Sequence, residues 1–137
     1  MKFQKIIILL TVSLGLLWFS IEFPFWKFFE PQGPGWVWWV SYFKDLIQPF
    51  AFYFFLCLGE KWIAPLKTWR GRALLAFAIP TFIEIAQALY YRSPMIYAHS
   101  LLYIGAFDPL DILMYAIGVV LAVLVERKVF TSLSFWE

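Results

Sequence analysis

The sequence predicts an all-α polytopic membrane protein, a bundle of four transmembrane helices with an aromatic interfacial segment between the first and second spans. Three observations carry that expectation. Of the 137 residues, 63% are hydrophobic and 15% charged, with a mean hydropathy of +0.75; a soluble domain this small would leave much of that apolar surface against water. The charged residues gather at the ends of long apolar runs, and a bilayer solvates such runs provided that their backbone groups bond within helices. The 8 Trp, 7 Tyr and 16 Phe suit both a membrane-water boundary and a packed interior.

The first span is expected over residues 6–22. Lys2 and Lys5 precede an uncharged run from Ile6 to Phe19, a pattern shared with signal peptides, but residues 21–26 carry no small-residue cleavage pattern and continue aromatic, as an anchor does. Residues 23–44 are interrupted by Lys27, Glu30 and the turn-forming stretch Pro31-Gln32-Gly33-Pro34-Gly35, which predicts a surface segment with Trp36, Trp38 and Trp39 among the headgroups. The second span is placed at 46–63. It needs Gly59 to Ile63 to approach the roughly 20 residues a bilayer requires, with Pro49 tolerated in its first turn, Lys61 snorkelling and Trp62 at the interface.

The third and fourth spans, 73–91 and 110–126, are each bounded by charges. This arrangement puts Lys2, Lys5, Lys61, Lys67, Arg70, Arg72, Arg127 and Lys128 on one side and Lys27, Lys44 and Arg92 on the other. The excess of positive charge assigns the first side, with both termini, to the cytoplasm. No repeat or linker divides residues 1–137, so a single domain is expected.

Several function classes are disfavoured. The net charge of +2 is spread over run ends instead of forming a phosphate-tracking stripe, so nucleic acid is not an expected partner. Cys57 is the single cysteine, which excludes an internal disulfide or a CxxC motif and reads as packing. A metal would need Glu84, Asp108, Asp111 and His99 to converge, which their spacing does not require, so neither metal nor other cofactor is expected. With one His in the chain, a nucleophile-base scheme has little to draw on.

Polar residues inside the apolar runs are the functional signal. A carboxylate within a membrane helix is costly and normally faces protein, water or a partner. Glu84, Gln87 and Tyr91 recur at i, i+3 and i+7 on one face of the third span, with Pro80 a turn earlier. Asp108, Asp111 and Tyr115 repeat that spacing at the start of the fourth, so the two stripes can oppose each other in the outer half of the membrane. Asp108 also suits an N-cap before Pro109, with Asp111 at the positive helix end. Glu84 reads equally as a hydrogen-bonded glutamate joining helices, and Gly118 as a point of close helix approach. His99, in the loop after Arg92, is a weaker candidate.

The run from Glu84 and Gln87, through Phe107-Asp108-Pro109-Leu110-Asp111, to Tyr115 and Gly118 resembles the VanZ-like family of small bacterial membrane proteins. That family carries Glu and Gln three apart in one span, then an Asp opening the next, followed by a polar residue and Gly. Asp45 and Tyr53 resemble its Asp and Tyr in the second span, with Pro49 in place of an intervening His, and Tyr115 stands where Asn is usual. The resemblance covers about residues 45–126. It implies a multi-pass protein of the bacterial inner membrane, of a kind associated with resistance to the glycopeptide teicoplanin, and it supplies no reaction.

Three functions are therefore expected to compete. In the first, the cluster Glu84, Gln87, Asp108, Asp111 and Tyr115 binds an envelope component without turnover. In the second, Glu84 or Asp111 is the general base of an enzyme acting on a lipid or cell-wall precursor. In the third, the carboxylates serve a proton- or cation-linked carrier, for which a homo-oligomer would enclose the path.

Overall fold

The computed structural model describes residues 2–22, 34–91, 109–134 and Trp136. Its elements are four long helices, α1 (Phe3–Glu22), α2 (Pro34–Cys57), α3 (Trp69–Tyr91) and α4 (Pro109–Lys128), with short 3-10 turns at Ala64–Lys67 and Phe130–Ser132. No strand occurs among the described residues. Lys5 of α1 reaches Glu60 beyond the end of α2, and Arg72 at the start of α3 reaches Glu126 at the end of α4. Successive helices therefore alternate in direction, and both chain termini share one end of the bundle, hereafter the terminal end, with the α2–α3 connection.

In α1, the large apolar side chains at Phe3, Ile7, Leu10, Leu14 and Trp18 point outward, while Lys5, Leu9, Ser13 and Ser20 are buried. Burying two hydroxyls is tolerable because each bonds back to its own helix: Ser13 Oγ to the Leu9 carbonyl (2.6 Å) and Ser20 Oγ to the Leu17 carbonyl (2.9 Å). The apolar face outside and the mixed face inside reverse the pattern of a soluble helix.

Helix α2 differs most from the sequence expectation. It opens at Pro34 and runs unbroken to Cys57, so residues 34–44 form its first turns instead of a separate interfacial segment; residues 23–33 lie outside those described. Proline at the first helical position fits because its missing N–H is unsatisfied there in any case. The helix gains its length at this end and does not need Gly59 to Ile63, which form turns. Pro49 thus lies in mid-helix, where it removes the bond to the Asp45 carbonyl. Its contacts with α1, α3 and α4 make α2 the central helix, with Tyr42, Ile47, Ala51, Tyr53 and Phe54 buried among them.

Helix α3 begins a turn earlier than expected because Thr68 Oγ1 accepts the Gly71 N–H (3.2 Å), an N-cap that satisfies one of the free helix donors. This brings Arg72 within the helix. A β-carbon at Gly71 would collide with the Pro65 carbonyl, so glycine permits the preceding turn to fold onto α3. Helix α4 opens at Pro109 and ends with Arg127 and Lys128, cations at the negative pole of its dipole. Its Gly118 lies against the backbone of α2: a β-carbon there would overlap the Leu46 carbonyl oxygen and reach 3.0 Å from Pro49 Cγ. The close approach expected at Gly118 is present, and its partner is α2.

The apolar core comprises Leu9, Tyr53, Phe54, Cys57, Ala76, Val119, Ala122 and Trp136. The chain after α4 folds back to close the terminal end, stacking Phe130 on Trp136 (4.6 Å between centroids) and against Phe54 (5.3 Å). Large apolar side chains remain exposed on all four helices, including Phe55 of α2, Phe82 of α3 and Leu124 of α4. Among the described residues, two stretches, Phe3–Ser20 and Pro109–Ser132, are long and apolar enough to cross a membrane.

Candidate functional site

Away from the terminal end, α3 and α4 bring a carboxylate and a phenol together. Tyr115, on α4, is 6% exposed and donates its hydroxyl to Glu84 Oε2 of α3 at 3.3 Å. Glu84 is 7% exposed. Asp45 of α2 and Asp111 of α4 also act electrostatically on the Tyr115 hydroxyl. Local helix geometry explains the convergence: Asp111 and Tyr115 are one turn apart on the same face of α4, while the antiparallel run of α3 sets Glu84 opposite. Thr81, one turn before Glu84 on the same face of α3, has a buried hydroxyl oxygen without a hydrogen-bond partner.

Of the opposed stripes expected from the sequence, Glu84 and Tyr115 meet; Asp111 lies one turn before Tyr115 on α4, and Asp45 lies on α2. Gln87 and Tyr91 lie in α3, but their side chains fall outside those described, as do Asp108, Arg92 and His99 entirely. Tyr53 does not belong with Asp45. It sits two turns further along α2, about 12 Å of helix, and its hydroxyl donates to Glu126.

That bond belongs to a second polar cluster, at the terminal end. Arg72 Nη2 donates to both carboxylate oxygens of Glu126, at 2.6 and 2.8 Å, and Nη1 to the Leu66 carbonyl at 2.8 Å. Glu60 lies 3.9 Å from Nη1 and pairs with Lys5 at 2.8 Å. The Arg72 guanidinium also lies over the Tyr53 ring, and the Lys5 ammonium over Trp136. Each helix contributes a member, so the network ties the bundle together at one level. Sequence reasoning counted Lys5 and Arg72 only as flanking positive charges and did not single out Glu126. Their pairing is non-local, and the available signal was that Arg72 and Glu126 each lie within a turn of an apolar run.

At the terminal end, two cations meet two carboxylates: both Glu126 oxygens and Glu60 Oε1 accept hydrogen bonds, Glu60 Oε2 stands 3.9 Å from Arg72 Nη1, and the buried Arg72 Nε has no hydrogen-bond partner. Around Tyr115, the hydroxyl donates to Glu84, and Asp45 and Asp111 act on it electrostatically. A separation of 3.3 Å is long for an O–H···O bond. Tyr115→Phe should therefore cost only about 0.6 kcal/mol, the ordinary value for such a bond between membrane helices, measured by unfolding in mixed micelles; a loss several times larger would mean that the hydroxyl anchors the helix pair.

No family model, curated protein or solved structure matches this chain.

Proposed function

We propose that this chain is a VanZ-like protein of the bacterial inner membrane that crosses the bilayer four times with both termini in the cytoplasm. The cluster of Glu84, Asp45, Asp111 and Tyr115, in the outer half, binds a component of the cell envelope and thereby influences susceptibility to glycopeptides of the teicoplanin type. The carrying observation is the buried contact, inside apolar helices, between the Tyr115 hydroxyl of α4 and the Glu84 carboxylate of α3. A carboxylate at membrane depth is costly and normally faces protein, water or a partner. Such a site favours a partner rich in donors, an ammonium group or the hydroxyls of a glycan on a lipid-linked precursor.

Supporting the four spans are the apolar residues facing outward on every helix, including Phe43 and Phe55 of α2 and Ile79, Phe82 and Ile83 of α3. An apolar surface of that extent is foreign to a soluble monomer. Supporting the orientation is the exposed basic set Lys61, Lys67, Arg70, Arg127 and Lys128 at the terminal end.

Glu84→Gln and Asp111→Asn preserve size while removing charge. Each is expected to abolish the chain's effect on envelope-antibiotic sensitivity in cells while the level of membrane-inserted protein stays at that of wild type. Wild-type sensitivity in both variants, at equal protein level, would reduce the cluster to a joint between helices.

A further inference from the structure

At the terminal end, the start of α3 and the end of α4 lay two guanidinium groups on one indole. Arg70 lies 5.5 Å and Arg127 5.3 Å from the centroid of the Trp69 ring. Both arginines are exposed and Trp69 is 37% exposed. The carboxylates of this end that the structure describes, Glu60 and Glu126, are engaged by Lys5 and Arg72, and no described carboxylate pairs with Arg70 or Arg127. Arg70 also stands in the first turn of α3, where the helix dipole disfavours a cation. Lys67, just before α3, and Lys128, just after Arg127, are exposed as well. Holding these charges together without a counter-charge is unfavourable, and an anion between the arginines would relieve it.

The surface leading away from the arginines along the helices is apolar. Leu74 lies one turn beyond Arg70 on α3; Leu124 and Val120 lie one and two turns before Arg127 on α4; all three are exposed, and α3 and α4 pack side by side. A paired cationic head above an apolar track, with an amphipathic indole at the junction, complements an anionic phospholipid: phosphate between the guanidiniums, acyl chains along Leu74, Leu124 and Val120. We propose that Trp69, Arg70 and Arg127 form a binding site for the phosphate headgroup of an anionic phospholipid. The site is separate from the Glu84 cluster, although lipid as its occupant rests on the membrane-spanning reading.

The test uses the full chain purified in neutral detergent, titrated with phosphatidylglycerol or with phosphatidylcholine of the same acyl chains, with bound lipid counted by native mass spectrometry. Wild type is expected to prefer phosphatidylglycerol, and Arg70→Gln and Arg127→Gln each to weaken that binding by about fivefold. Lys61→Gln, a cation of the same end outside the indole pair, is expected to change it little. Equal binding of the two lipids, or an equal loss in Lys61→Gln, would overturn the site in favour of a diffuse basic surface. Displacement of the lipid by inorganic phosphate at constant ionic strength would overturn the lipid in favour of a free anion. Alkaline extraction of cell membranes separates the two proposals: release of the chain would sink the membrane reading and this one together, whereas retention without preference for anionic lipid would sink this one alone.

Discussion

Arg72→Ala is expected to destabilise the bundle by about 3–5 kcal/mol, because it leaves Glu126 buried without its cation. The Arg72 and Glu126 side chains are each 6% exposed, and the guanidinium supplies two of the donors that the carboxylate accepts. Tyr53 would remain as a donor to Glu126, but a neutral hydroxyl does not replace the charge of the guanidinium. The double variant Arg72→Met with Glu126→Leu removes both charges and should regain most of the loss, since an apolar pair of similar volume often replaces a buried ion pair without cost. Unfolding of both variants in mixed micelles checks this. A single variant as stable as wild type would show that water reaches Glu126.

Gly118→Ala should be nearly as damaging for so small a change. The added methyl would overlap the Leu46 carbonyl oxygen and crowd Pro49, and neither obstacle is the free end of a flexible side chain. Relief requires α4 to move off α2, the central helix. Overpacking of this kind costs about 1–3 kcal/mol. The shift would also move Tyr115, one turn away on α4, so under the proposed function the variant should lose stability and envelope phenotype together. Stability near that of wild type, measured in the same micelles, would mean that the helices approach less closely.

The all-helical class was legible in composition, and α1 and α4 were legible in their long apolar runs, because a helix in an apolar setting satisfies its own backbone wherever the chain places it. The limits of α2 were not. The turn-forming residues at 31–35 suggested a break extending through the tryptophans, whereas Pro34 opens the helix and Pro49 is absorbed inside it. Proline marks either an interruption or a beginning, and the choice depends on what packs around it.

The same division holds for the polar residues. Sequence by itself determined that Glu84 lies within an apolar run and that Asp111 and Tyr115 share a helix face, since both follow from local order and helical period. Only the tertiary structure decided that Glu84 meets Tyr115, that Tyr53 goes to Glu126, and that Arg72 and Lys5 are buried members of an ion-pair network. It alone also brought Arg70 and Arg127 onto one indole. Each of these outcomes depends on which helices are neighbours and at what relative height. That is set by where backbones can approach, as at Gly118, and by which charges can be neutralised in burial, so it comes from contacts between distant segments that no local pattern encodes.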